Sequence, residues 1–227
     1  MGALNRRQAL AGLGSISLGA LIAACSDDED SGQPSSAGSE RTGTSFDDAR
    51  TCTVTAEQTE GPFYFDVDRI RSDIREDRDG AELRLGVRVR DAGDCTPVPD
   101  AVVDVWHCDA EGGYSATGES YLRGAQVTNR DGVVEFTTVY PGWYPGRTIH
   151  IHAKVHLDKE TVLTTQLYFD DAFSARVFTR DSAYPGESNR DGFNASDGLY
   201  EKDLELTLSE EGKAYRGRIT LDVARAA

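Results

Sequence analysis

Apolar and polar residues alternate along much of the chain beyond Thr51, a pattern that predicts β-strands rather than helices. The clearest run covers residues 83–90, in which Leu or Val alternates with Arg or Gly. The same period of two recurs in residues 133–138 and in the leucines at positions 204, 206 and 208. A further strand is predicted over residues 101–107. No strong helical pattern follows the first 24 residues.

Short turn sequences separate these predicted strands. They are Asp91-Ala-Gly-Asp94, Asn129-Arg-Asp-Gly132 and Tyr140-Pro-Gly-Trp143. Strands of this length, separated by Gly- and Pro-containing turns, are typical of a β-sandwich or barrel. The 227 residues leave room for one sizeable core. We therefore predict a mainly β protein with a single antiparallel β-sandwich domain over residues 51–227.

The first 24 residues predict an export signal. Arg6 and Arg7 precede an apolar, Gly-rich run that ends in Leu21-Ile-Ala-Ala-Cys25, and this run is too short for a comfortable membrane span. The paired arginines resemble a twin-arginine signal, although Ala9 stands where such signals usually carry a bulky apolar residue. The residues before Cys25 resemble a lipobox, whose cysteine is lipidated after cleavage. An ordinary cleaved secretory signal is the alternative.

Residues 25–50 are rich in Ser, Gly, Asp and Glu and predict a flexible acidic linker. Removal of residues 1–24 takes away two arginines and no acid, so the formal net charge changes from −15 to −17. Such a charge disfavours binding to nucleic acids and to anionic lipid heads. We expect an exported protein of the cell envelope or the extracellular space, with a lipid anchor at Cys25 as its contact with the membrane.

Three cysteines follow Cys25, and an exported protein can keep a disulfide between two of them. The predicted strand between Cys95 and Cys108 is about 23 Å long, whereas a disulfide needs Cα atoms within about 7 Å of each other. Pairing of Cys52 with Cys108 is therefore favoured. A zinc site is disfavoured because the chain has no CxxC pair.

His150 and His152 lie two residues apart in a predicted strand, so both side chains lie on one face, opposite to Ile149 and Ile151. Two imidazoles on one face can bind one metal ion. Tyr114, Tyr144 and Arg147 lie nearby in the sequence. A phenolate forms at neutral pH only beside a strong Lewis acid, so two phenols with two imidazoles favour ferric iron. Zinc and non-haem Fe(II) sites usually include a carboxylate or a thiolate, and no acidic residue stands close to the histidines.

From about Thr51 to the C-terminus, the chain resembles the intradiol ring-cleavage catechol dioxygenases, specifically the catalytic domain shared with protocatechuate 3,4-dioxygenase. Six motifs carry the resemblance in the order found in that family. They are Thr59-Glu-Gly-Pro-Phe-Tyr64, Val105-Trp-His-Cys-Asp-Ala110, Gly113-Tyr-Ser115, Pro141-Gly-Trp-Tyr144, Arg147-Thr-Ile-His-Ile-His152 and Thr165-Gln-Leu-Tyr-Phe169.

The resemblance implies that Tyr114, Tyr144, His150 and His152 bind one Fe(III) ion per chain. Tyr144 matches the axial tyrosine that leaves the metal when substrate binds and then accepts a proton. Arg147 matches a residue that stabilises charge developing on the ring, and Gln166 matches a supporting pocket residue. The implied reaction cleaves a catechol with O2 to a cis,cis-muconate-type product that contains both oxygen atoms.

The chain lacks the helical dimerisation segment and the partner subunit of better-studied family members. The resemblance therefore implies neither a particular catechol nor a particular oligomeric state, and a homo-oligomer is one of the alternatives.

Other interpretations of the same residues compete with this one. Tyr121 is an alternative to Tyr114 as the phenol of the site. For Arg147, the alternative to a catalytic role is that of a structural salt-bridge partner. His107 is a candidate buried structural histidine, and His156 lies too far along the strand to reach the metal. Trp106 and Trp143 are expected in the core or in a pocket wall. A non-catalytic binding lipoprotein and a metal-dependent hydrolase are the competing functions, and the hydrolase needs a carboxylate ligand that the sequence does not place.

Overall fold

The computed structural model describes residues 46, 51–186 and 190–225. The predicted export signal and nearly all of the predicted linker lie outside the described residues. Within the described part of the chain, no helix is both long and apolar enough to cross a membrane.

Within residues 51–186 and 190–225, eight strands form two four-stranded sheets that pack face to face, so the predicted β-sandwich is confirmed. The strands are β1 (Glu82–Asp91), β2 (Val102–Trp106), β3 (Arg123–Val127), β4 (Val133–Val139), β5 (His150–Leu157), β6 (Glu160–Tyr168), β7 (Thr207–Glu211) and β8 (Ala214–Val223). The first sheet has the order β4-β1-β8-β7 and the second has the order β3-β2-β5-β6. Pairing is antiparallel except between β1 and β8, which run parallel.

Alternation along β1 and β5 decides which side chains form the core. Leu83, Leu85, Val87 and Val89 of β1 are fully buried between the sheets, as their period of two predicts. On β5, Ile151, Ala153 and Val155 belong to the same core. The intervening residues of β5, including His150 and His152, consequently lie on the outer face of the second sheet.

One prediction about local structure was wrong, because an α-helix, α1 (Asp171–Arg180), follows β6 directly. Asp170 caps it by accepting a hydrogen bond from the Phe173 backbone N–H at 2.7 Å. The helix buries one narrow stripe that includes Phe173, Val177 and Phe178. With so few large apolar residues, the hydrophobic pattern of this ten-residue helix shows the 3.6-residue period only weakly. A helix this short owes most of its stability to tertiary packing.

The last predicted strand begins later than the leucine pattern suggested. Leu204 ends a short 3-10 helix over Lys202–Leu204, and β7 starts only at Thr207. Leu204 and Leu206 are both buried, and the Leu206 backbone N–H donates to the Tyr168 carbonyl at 2.8 Å. Their alternation therefore reflects burial beside β6 and not a continuous strand.

The disulfide joins Cys52 to Cys95, with Cα atoms 5.6 Å apart, so the favoured pairing of Cys52 with Cys108 was wrong. Cys108 is a free, buried thiol. The reason is the path of the N-terminal segment, which runs beside β8, where the Thr55 backbone N–H donates to the Asp222 carbonyl at 2.8 Å. That path brings Cys52 to the turn after β1, and the spacing of cysteines in a sequence contains no such information.

Candidate metal centre

Strand β5 places His150 and His152 on the outer face of the second sheet, where the N-terminal segment covers them. Both side chains are buried. Gly61 passes so close that a Cβ atom there would lie 3.2 Å from Cε1 of His152. Gly61 also has a φ angle of +69°, which favours glycine. The segment is held here because the Gln166 side chain donates to the Thr59 carbonyl at 3.0 Å.

His150 is oriented by the chain beside it. Its Nδ1 atom lies 2.7 Å from the Thr148 carbonyl oxygen, a contact that needs a proton on Nδ1 and leaves Nε2 as the nitrogen with the free lone pair. Nε2 lies 3.2 Å from the Tyr144 hydroxyl and 3.5 Å from the Tyr114 hydroxyl. The backbone thus presents a basic nitrogen to two phenols.

His152 is held by stacking. Its ring lies parallel to Trp106, with centroids 4.9 Å apart and an interplanar angle of 8°, because the two residues are paired in register between β2 and β5. The His150 and His152 rings are 4.8 Å apart. Nδ1 of His152 is buried and has no hydrogen-bond partner within the described ranges. Trp106 therefore forms part of the site wall, one of the two locations expected for it.

Two loops bring Tyr114 and Tyr144 to these histidines. The loops meet at Gly112, where an added Cβ would lie 2.2 Å from the Trp143 carbonyl oxygen, so only glycine permits this approach. The two tyrosine rings are consequently 5.8 Å apart at an angle of 68°. Phe63 of the N-terminal segment stacks on Tyr114 with centroids 4.3 Å apart.

Burial makes this group of four side chains neutral in the absence of a cation. Burial and the nearby charge of Arg147 lower the pKa of His150 to about 4. Burial and His150 lower the pKa of His152 to about 2. Burial also raises the pKa of the Tyr114 and Tyr144 phenols. Neutral imidazoles can ligate a metal directly, whereas the phenols need a strong Lewis acid to ionise. The donor set therefore fits a hard, highly charged cation such as ferric iron.

These pKa values predict how the stability of the iron-free protein depends on pH. The folded chain keeps His150 and His152 neutral, whereas the unfolded chain binds protons near the ordinary pKa of 6.5. His107 behaves similarly, because burial lowers its pKa to about 4. The contribution of these histidines to the free energy of unfolding should be constant above about pH 7 and should fall as the pH drops below 6.5, by up to about 1.4 kcal/mol per pH unit for each histidine.

Urea unfolding of the iron-free protein between pH 7.5 and pH 5 would measure this slope. The paired carboxylates titrate mainly below this range, so the slope there reports on the histidines. A free energy of unfolding that stays constant down to pH 5 would contradict the burial of neutral imidazoles.

Arg147 lies at the edge of the group and is held from two sides. Its Nε–H donates to Asp197 at 2.8 Å and its Nη2–H donates to the Gln166 side-chain oxygen at 2.5 Å. Gln166 is fully buried and is paired with His152 in register between β5 and β6. Both the charge of Arg147 and a hydrogen bond from it favour the ionised form of Tyr144. A positive charge is thus fixed beside the Tyr144 hydroxyl.

The structure brings together all six residues that the sequence placed in the site, namely Tyr114, Tyr144, Arg147, His150, His152 and Gln166. Their roles stay predictions. The alternative phenol, Tyr121, lies away from the histidines, against the guanidinium of Arg78 at 4.4 Å. His107 is fully buried, and its Nε2 contacts the Thr138 hydroxyl at 2.7 Å. Nδ1 of His156 pairs with the Thr161 hydroxyl at 2.9 Å. Across the described ranges, no cluster of three or more His, Cys, Asp and Glu residues could hold a metal ion. The proposed site is not a cluster of this kind, because two of its four ligands are tyrosines.

Asp197 was not among the predicted site residues, since it lies 50 residues after its partner Arg147. No spacing rule joins the two positions. The contact of Phe63 with Tyr114 was not predicted either, although Phe63 belongs to one of the six motifs.

Comparison with known proteins agrees with this fold and this site. Residues 59–180 match the family model described as Dioxygenase. The structure is similar to an intradiol ring-cleavage dioxygenase from Tetranychus urticae, with a TM-score of 0.70 and 31% identity over 76% of this chain and 95% of that chain. The chain belongs to the intradiol ring-cleavage dioxygenase family.

Two further relatives extend this comparison. The dioxygenase domain of a dioxygenase carbohydrate-binding protein fusion from Streptomyces sp. SirexAA-E has a TM-score of 0.62 and 30% identity, over 77% of this chain and all of that chain. The chlorocatechol 1,2-dioxygenase of Rhodococcus opacus is 34% identical over 121 residues, which are 43% of this chain and 47% of the relative. The chain spans about half the length of the curated relatives it matches.

Proposed function

We propose that this protein is an Fe(III)-dependent intradiol dioxygenase that cleaves a catechol-type aromatic with O2 to a cis,cis-muconate-type product. The observation that carries the proposal is the convergence of two phenols and two neutral imidazoles beside one fixed guanidinium. A non-catalytic binding protein has no need of this combination. The names of the curated relatives, catechol and chlorocatechol 1,2-dioxygenases, support the substrate class.

Tyr114, Tyr144, His150 and His152 would hold the iron. When bound, ferric iron would supply the Lewis acidity that ionises the phenols and a catechol, and that makes the bound catecholate reactive toward O2. His150 contributes Nε2, since its Nδ1 donates to the Thr148 carbonyl. Trp106 keeps the His152 ring in a fixed plane, which preserves the geometry of the site during turnover.

Tyr144 is the ligand proposed to move and to accept a proton from the substrate. It is followed by the exposed residues Pro145 and Gly146, and a Cβ at Gly146 would meet no atom within 4 Å. The loop therefore has room to shift. The ring of Tyr114, in contrast, is covered on one face by Phe63, which stacks on it. A displaced Tyr144 phenolate beside Arg147 would be a base for a catechol hydroxyl.

Arg147 is proposed to stabilise the negative charge that develops on the substrate ring. Its guanidinium is already oriented by Asp197 and Gln166, so little reorganisation accompanies the reaction. A fixed charge in a site that excludes water acts strongly on such a transition state. Gln166 has a supporting role, because it connects Arg147 to the N-terminal segment that covers His152.

Incubation of the iron-loaded protein with a panel of catechols tests this function. We expect O2 consumption and the ultraviolet absorption of a cis,cis-muconate-type acid, with both atoms of labelled O2 in the product. An iron-loaded, red protein that binds catechol but consumes no O2 would indicate the non-catalytic binding function. A yellow extradiol-type product would also overturn the proposal.

Export is proposed as well, with cleavage after residue 24 and lipidation of Cys25. The disulfide between Cys52 and Cys95 supports it, since disulfides persist mainly in oxidising compartments. In the native host, the wild-type protein should fractionate with membranes and its N-terminal peptide should carry a lipid on Cys25. A Cys25→Ala variant should lose both properties. Recovery of an uncleaved, unmodified N-terminus in the cytoplasm would contradict export.

A further inference from the structure

The segment over residues 190–200 packs directly against Arg147, although it lies outside the residues matched by the family model. At Gly192, an added Cβ would lie 2.0 Å from the Arg147 carbonyl oxygen. A side chain there would force the two backbones apart. Only glycine therefore permits the segment to lie in direct contact with the backbone of Arg147.

Several hydrogen bonds fix the segment to the rest of the sandwich. The Asn194 side chain donates to the Phe169 carbonyl at 2.9 Å and accepts from the Thr148 hydroxyl at 2.6 Å. The buried guanidinium of Arg190 pairs with Asp171 in the first turn of α1. The segment is therefore tied both to the end of β6 and to the residue that follows Arg147.

Asp197 belongs to this fixed segment, and its carboxylate binds the Arg147 guanidinium. One carboxylate oxygen accepts from Nε of Arg147 at 2.8 Å and from the Thr148 backbone N–H at 2.9 Å. The other oxygen accepts from the Leu199 backbone N–H at 2.9 Å. The Asp197 side chain is only 2% exposed. Burial alone would raise its pKa, but the bonds from Arg147, Leu199 and Thr148 lower the pKa below the ordinary value, so the carboxylate is charged.

We infer that Asp197 is a positioning residue for the ring-cleavage reaction, which fixes the guanidinium of Arg147 toward the substrate. The Nε edge of Arg147 is occupied by Asp197 and one Nη2 proton by Gln166. The guanidinium also lies close enough to Tyr144 for its charge and a hydrogen bond from it to favour the ionised phenol. Because Asp197 bonds to three groups at once, the orientation of Arg147 depends on a residue that touches no reacting atom.

This inference rests on the proposed function, and an Asp197→Asn variant tests it. We expect kcat to fall about ten- to a hundredfold, since a misoriented catalytic group is costly, while KM changes less than kcat. The visible absorption of the resting iron enzyme should be unchanged, because no ligand is altered. Asp191→Asn is the matched control. Asp191 accepts a bond from the Gly146 backbone N–H at 3.1 Å in the same loop and should keep near wild-type kcat.

A double-mutant cycle separates positioning from a general structural effect. In an Arg147→Lys background, Asp197→Asn should cause little further loss, because the Nε–H that it orients is gone. Independent, multiplying losses would overturn the inference, as would a kcat for Asp197→Asn equal to that of Asp191→Asn. If Asp197→Asn does not fold, Asp197→Ser is judged by the same criteria.

A measurement on the iron-free protein keeps this test separate from the proposed function. The NMR signal of the Arg147 Nε–H should shift in Asp197→Asn and stay unchanged in Asp191→Asn. If the wild-type enzyme forms no ring-cleavage product, the proposed function fails. An Nε–H signal that does not respond to Asp197→Asn shows that the contact itself is wrong.

Discussion

A His150→Gln variant should bind little or no iron and should lose ring-cleavage activity. The ring of His150 presents Nε2 to both phenols at 3.2 and 3.5 Å, and a glutamine amide is a poor substitute for imidazole at a ferric site. We expect the iron content to fall from about one ion per chain to less than about a tenth, with at least a hundredfold loss of kcat. Metal analysis and O2 uptake measure both quantities.

His156→Gln is the control for this variant, because His156 lies on the same strand and is also buried. It pairs with Thr161 and is not a proposed ligand, so its substitution should leave iron content and kcat close to wild type. A His150→Gln protein that retains a full complement of iron and its colour would remove His150 from the ligand set.

A Tyr144→Phe variant should change the colour of the iron protein and slow turnover strongly. Phenylalanine removes both the ligand oxygen and the proposed base while it keeps the ring that packs edge-on against His150. Loss of a positioned base typically costs about a hundred- to ten-thousandfold in rate. The visible spectrum and the steady-state kcat are the measurements.

Tyr121→Phe is the matched control for Tyr144→Phe. Tyr121 contacts Arg78 at the periphery, so its hydroxyl should be dispensable for colour and for turnover. If Tyr144→Phe turned over catechol at the wild-type rate, its role as a ligand that leaves and accepts a proton would be wrong.

Strands with one buried face could be predicted from the sequence because their side chains alternate between the core and the outside. Residues 83–90 and 101–107 each correspond to an observed strand, β1 and β2. Helix α1 was missed because its apolar stripe is narrow and its stability comes from contacts with the core. The disulfide was missed because the position of Cys52 depends on how the N-terminal segment crosses β8.

The candidate site likewise contains residues that could be predicted from the sequence and one, Asp197, that could not. The common face of His150 and His152 follows from strand geometry alone. Tyr114, Tyr144 and Arg147 were candidates because they lie nearby in the sequence, and the resemblance of six motifs implied their roles and added Gln166. The link from Arg147 to Asp197 follows instead from the fold, since it needs the return of residues 190–200 to the second sheet. Long-range contacts of this kind leave no periodic trace in a sequence.

The iron content and the visible absorption of the purified wild-type protein test the central claim most directly. If Tyr114, Tyr144, His150 and His152 bind ferric iron, the protein should contain about one iron per chain and show a broad charge-transfer band that makes it wine-red. The band should shift when catechol is added without O2, since a catecholate and Tyr144 would exchange on the metal. A colourless protein without iron, purified from iron-replete cells, would contradict the account.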